Sequence, residues 1–192
     1  MAGDGSLRRA GKHGLLAAVA PLLLVLGAGT GCTTHHATGV AEHGPLTLSS
    51  PAFAAESMIP LTYGCTGAGN APPLVWHGAA PAGTAGWAIV LQDLDVTPAP
   101  WLQWVVSDLP TSTRTLGTAP LPSGAVVSAA SNGTVGYVGA CPRSGTVNRY
   151  RFTVYALRTR LALSAHLPAA KAMSAISASA LASSSVTGSF AR

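Results

Sequence analysis

WAIVLQDLDVTPAPWLQWVVSDLP, residues 87–110, is the stretch whose reading decides the fold. Trp87 to Leu91 is an apolar, β-prone run, and Trp104 to Val106 with Leu109 is a second. A proline-punctuated loop carrying two carboxylates lies between them, so the pattern predicts strand, loop, strand. From Cys32 onward the chain has five acidic residues, Glu42, Glu56, Asp93, Asp95 and Asp108, and two of them fall in one Asp-Leu-Asp. Residues i and i+2 at a strand end face the same side, so Asp93 and Asp95 can both point into one cavity. The alternative is that one carboxylate caps a turn by accepting backbone N–H bonds, as Asp does beside Pro, while the other is solvated.

Outward from this stretch, 22 glycines and 14 prolines are scattered without a period, which predicts many turns between short strands and a mostly β protein. A length of 192 residues suits one domain plus a targeting segment. The net charge of +5 is less than it looks, because Arg8, Arg9 and Lys12 against Asp4 place +2 of it before residue 32. Arg149, Arg151, Arg158 and Arg160 form a local basic group expected on a solvated face. Without aromatic interleaving or a recognisable motif, nucleic-acid binding is not expected.

Residues 1–31 have the anatomy of a signal peptide: a basic opening, the apolar LLAAVAPLLLVLGA, then small residues before Cys32. Pro21 breaks the apolar run, which is short for a permanent membrane helix. Gly29-Thr30-Gly31-Cys32 resembles a bacterial lipobox, with Cys32 lipidated as the mature N-terminus, although Gly29 stands where Leu is usual. The expected location is therefore the outer face of the cell membrane, held by a lipid on Cys32; without acylation the chain would be secreted or periplasmic. Residues 32–45 read as a flexible tether, and its His35, His36 and His43 lack the further ligands that a metal site needs.

Within residues 46–192 the segments LTLSSPAF and IPLTYGCTGAGNAPPLVW predict short strands and tight loops, with Trp76 in the core. Residues 111–130 read as a low-charge loop ending in a short strand at Val126-Val127. The run SNGTVGYVGACP, residues 131–142, has glycines that let backbone approach a ligand or a neighbouring strand, and its N–H groups could form an anion nest. YRFTVYAL, residues 150–157, alternates as a central strand with Tyr150, Phe152 and Val154 on one side. The end reads as a helix opened by Pro168, with Met173, Ile176, Ala180 and Leu181 on one face, packed over the edge of the sheet.

Together these pieces resemble the phosphatidylethanolamine-binding protein family, in particular its bacterial Raf-kinase-inhibitor-like branch. The likeness spans about residues 46–192: IPLTYGCTG and PPLVW, the D-x-D loop with W-x-x-W-V-V after it, N-G-x-x-G-Y-x-G-x-C-P, RYRFTVYAL and the terminal GSFAR. It implies two packed antiparallel sheets with a few peripheral helices, one of them near the C-terminus, and a small anion-binding pocket. Mapped onto this chain, the pocket would comprise Asp93, Asp95, Trp101, Gln103, Gly139, Ala140, Pro142, Asn148 and Tyr150. The family typically has histidine where Gln103 and Asn148 stand, and amides cannot take up a proton to offset an anion. That departure predicts weaker phosphate binding than in relatives, a neutral or amine-bearing ligand, or a vestigial site. Cys65 and Cys141 belong to segments the family places around the pocket, and export makes their pairing the expectation over two buried free thiols.

The resemblance implies a non-catalytic module that holds a small polar or anionic ligand, such as a lipid headgroup, without a cofactor or metal. The alternative is an exported inhibitor that meets a protein partner through surface loops. A hydrolase is the weakest reading, since the chain has no G-x-S-x-G elbow, zinc spacing or phosphate loop.

Overall fold

The structure is a computed structural model and describes residues 44–117 and 120–192. The expected signal peptide, the expected lipidation at Cys32 and the expected tether up to residue 43 lie outside the described residues. The elements in order are β1 (Thr47–Ser49), a 3-10 turn at Leu61–Tyr63, β2 (Leu74–His77), β3 (Gly86–Asp93), β4 (Trp101–Leu109), β5 (Thr115–Leu116), β6 (Val126–Ser128), β7 (Val147–Leu157), α1 (Ala169–Ser179) and β8 (Ala180–Ala191). β1, β2 and β5 form a three-stranded sheet in the order β1-β2-β5. The other strands form a five-stranded sheet in the order β6-β4-β3-β7-β8, and every pairing within both sheets is antiparallel.

Strand β3 is central, and that position explains why Trp87 to Leu91 shows no polar alternation: all five residues are fully buried. Trp87, Ile89 and Leu91 face the three-stranded sheet, where Leu74, Trp76, Trp104, Phe152, Val154 and Phe190 complete the core between the sheets. Ala88 and Val90 face the other way and meet Ala169, Ala172 and Ile176 of α1. A strand covered on both faces reads as a continuous apolar run because neither side chain direction meets water. The molecule is thus a three-layer stack of small sheet, large sheet and helix.

Two expectations for the C-terminal region are corrected. The helix lies across a face of the large sheet rather than over its edge, and it ends at Ser179, with Ala180 already in extended geometry. From Ala180 the chain forms the twelve-residue strand β8, so Ala180 and Leu181 belong to a sheet edge and not to the helix. Residues 111–130 also contain β5, which pairs with β2 at Leu74–Leu116 and Val75–Thr115.

The register around β3 assembles one end of the large sheet. Asp93 pairs with Trp101 of β4 on one side and with Tyr150 of β7 on the other. Seven residues, 94–100, connect β3 to β4 there, and their Thr97–Pro98 peptide is cis. At the opposite end, Asp108 has a positive φ of 57° and is buried; its Oδ1 accepts the N–H of Leu161 at 2.7 Å and its Oδ2 that of Ala162 at 2.8 Å. That carboxylate clamps the turn after β7 and takes no part in the site below.

Candidate functional site

Asp93 closes β3 and is 3% exposed. Burial of a carboxylate is tolerable only when its oxygens are hydrogen-bonded, and here donors converge on both. The Asn148 amide donates to Oδ1 at 3.1 Å and to Oδ2 at 2.9 Å, and the N–H of Asp95 donates to Oδ1 at 3.1 Å. The Tyr150 hydroxyl also bonds to Asp93 while accepting the N–H of Cys141 at 3.1 Å. Burial, with that bond to Asp93 adding to it, pushes the Tyr150 phenol well above its ordinary value, so it remains a donor.

Asp95 lies two residues on but does a different job. Its Oδ2 accepts the backbone N–H of Arg149 at 2.6 Å, and its Oδ1 meets the Arg149 guanidinium at 2.6 Å. The Arg149 side-chain hydrogen bonds, followed by the one from its backbone, hold the Asp95 carboxyl below the usual carboxylate range. Arg149 is therefore not simply a solvated cation, and Arg151 likewise reaches Gln92 Oε1 at 3.1 Å. Turn capping and cavity lining are not exclusive for this pair, since Asp93 accepts the N–H two residues ahead while both side chains line one cavity.

Opposite the carboxylates, the Gln103 amide nitrogen, oriented to satisfy its hydrogen bonds, donates to the carbonyls of Val138 and Gly139, both at 3.2 Å. The N–H of Val138 returns a bond to the Gln103 carbonyl at 3.2 Å. Gly139 is needed because a Cβ there would stand 2.6 Å from the carbonyl carbon of Gly64 and 2.9 Å from the Cys65 nitrogen. The close approach left open by the sequence is thus to a neighbouring segment, with Cys65 N–H donating to Ala140 O at 3.0 Å. The N–H groups of Val138 and Cys141 are both spent within the protein, which argues against an anion nest at this corner. Cys65 and Cys141 form a disulfide, with their Cα atoms 5.3 Å apart.

These parts enclose an open cavity of about 680 Å³ at the end of the large sheet. Of the residues mapped from the sequence, Asp93, Asp95, Trp101, Gln103, Pro142 and Asn148 line it. Gly139, Ala140 and Tyr150 do not: they are buried behind the wall, where they hold Gln103, Cys65 and Asp93 in place. The disulfide contributes both of its cysteines to the wall. Arg143 and Thr146 also line the cavity and were not singled out, because the only local signal is the turn-forming Arg-Ser-Gly-Thr. Among the described residues, no group of three or more His, Cys, Asp or Glu side chains is gathered as metal ligands would be.

A profile of the phosphatidylethanolamine-binding protein family matches residues 49–191, which takes in every strand from β2 to β8, the helix and every wall of the cavity. The chain belongs to this family. It is 35% identical over 147 residues to the Mycobacterium tuberculosis protein named lipoprotein LppC, covering 76% of this chain and 72% of that one. It is 38% identical over 101 residues to Escherichia coli YbhB, covering 49% of this chain and 63% of that protein. The crystal structure of Escherichia coli YbcL, described as a member of the mammalian PEBP family, superposes with a TM-score of 0.72 at 26% identity, over 79% of this chain and 99% of YbcL. Family membership accounts for the two antiparallel sheets and the helix near the C-terminus.

Proposed function

We propose that this chain is a non-catalytic binding module that holds a small polar or anionic ligand in the cavity at the Asp93 end of the large sheet. The observation that carries the reading is the state of the polar groups in its walls. Asp93 and Asp95 accept, and the amide nitrogens of Gln103 and Asn148 donate, hydrogen bonds within the protein. A pre-organised wall of this kind orients a guest at low entropic cost, whereas a general acid or base must be free to exchange a proton with one. Trp101, 38% exposed, offers an aromatic face at the mouth, as small-molecule sites commonly do.

The likeness to a protein named as a lipoprotein, the lipobox-like Gly29-Thr30-Gly31-Cys32 and a disulfide support export and lipid anchoring through Cys32. A lipid headgroup is then one accessible ligand. Native mass spectrometry of the full chain released gently from its host membrane tests the binding reading. A co-purifying small molecule, lost when Trp101 is changed to Ala, is the expected result. Turnover of ester or phosphoester substrates abolished by Asp95→Asn would replace the reading with a hydrolase. Palmitate labelling should follow the wild type and disappear in Cys32→Ser.

A further inference from the structure

The cavity carries formal charges of both signs, and their partners differ sharply. Asp95 and Arg149 cancel each other in a close ion pair. Asp93 lies at the buried floor, its charge spread over donors from Asn148, Tyr150 and the Asp95 backbone. The remaining cation in the wall is Arg143, exposed at the rim; its guanidinium has no hydrogen bond or ion pair among the described residues. Its backbone, by contrast, is firmly placed. The Arg143 carbonyl accepts the Thr146 N–H at 3.0 Å and the Thr146 hydroxyl at 2.7 Å, across a turn that Gly145 permits with a φ of 79°. That turn is stitched to the chain end, where the Gly145 N–H meets Arg192 O at 2.6 Å and the Arg192 N–H meets Thr146 O at 3.3 Å.

Resting on the reading of the cavity as a ligand receptor, we propose that Arg143 is its anion-recognising residue and that the oxyanion of the ligand sits at the Arg143 rim, not at the Asp93 floor. An anion approaching the floor meets a buried carboxylate, while at the rim it meets an uncommitted guanidinium on a fixed turn. A guanidinium presents paired donors that match two oxygens of a phosphate, sulfate or carboxylate. It stays charged throughout the physiological pH range, so the missing histidines cost the site its pH response without depriving it of a cation. The remote placement of the anion leaves the space over Trp101 for the rest of the ligand.

Calorimetric titration of the full chain with sodium sulfate, at constant ionic strength and at about pH 5.5 and pH 8, tests the assignment, because sulfate does not itself titrate there and imidazole does. Wild type should bind equally at both pH values. Arg143→Gln should weaken binding by ~10- to 100-fold, as expected for loss of a charged hydrogen-bonding pair. Arg143→Lys should lose less, and Arg158→Gln, which alters an exposed cation just past the far end of β7, should bind as wild type does. Sulfate affinity unchanged in Arg143→Gln would overturn the assignment and leave the receptor reading standing. Affinity that rises toward pH 5.5 would also overturn it, by showing that a titrating group carries the anion. No sulfate binding by the wild type, with phosphoethanolamine also failing to bind, would remove the anion receptor and the assignment together; phosphoethanolamine binding without sulfate binding would remove the assignment alone.

Discussion

Arg149 holds Asp95 through backbone and side chain at once, its N–H 2.6 Å from Oδ2 and its guanidinium 2.6 Å from Oδ1. The contact joins the β3–β4 loop to the start of β7 across 54 positions of sequence, and so fixes one wall of the cavity to the other.

Because Asp95 titrates below its unfolded value, this contact stabilises the fold above about pH 4 and stops doing so as pH falls through the lower, folded value. Asp95→Asn should therefore lower the melting temperature more at pH ~7 than at pH ~3, the deficit shrinking as the carboxyl of the wild type is protonated. Thermal unfolding followed by circular dichroism at both pH values checks the sign. A deficit of the same size in acid would mean that the ion pair is not its source.

At Gly139 the constraint is steric. A methyl group there would have to push back the backbone of Gly64 and Cys65, which is tied to the same corner by the disulfide. Gly139→Ala should cost about 1–3 kcal/mol in denaturant unfolding, in line with overpacking of a closed contact. It should also weaken ligand binding, since Gln103 is anchored on the Gly139 carbonyl.

The disulfide closes a sequence separation of 76 residues and lines the cavity. Replacing Cys65 and Cys141 by Ser together should lower stability by about 2–4 kcal/mol, mainly by freeing the unfolded chain. Reductant should produce a similar loss in the wild type and none in the double variant, which separates the cross-link from the effect of the substitutions.

On the far face of the sheet, Ile176 of α1 is fully buried against Ala88 and Val90. Ile176→Ala should cost about 2–4 kcal/mol, the usual range for a large-to-small change in a packed core. Ligand affinity should be unchanged, because the helix layer and the cavity occupy different parts of the large sheet.

The strands that were legible in the sequence are those whose side chains face a core on one or both sides: Trp87 to Leu91 and Tyr150 to Leu157 carry their burial in their composition. Strand β8 was not. Its Ala- and Ser-rich ALASSSVTGSFA has weak β-propensity, and it is extended because residues 180–191 find β7 as a partner, a tertiary preference that overrides local pattern. The site divides the same way. Asp93 and Asp95 stand out as acids in a chain poor in charge, but which donor each receives depends on a register that brings Asn148 and Arg149 beside them. The importance of Arg143 also emerges only in three dimensions, when the other charges around it are seen to be committed.

The most direct test of the cavity is to follow backbone and indole N–H resonances of the full chain while phosphoethanolamine is added. The account predicts that Asp93, the Trp101 indole, Arg143 and Asn148 shift together and saturate, while residues of α1 stay still. Shifts concentrated on α1 or on the Asp108 turn, with the Trp101 and Asn148 signals unmoved, would contradict it.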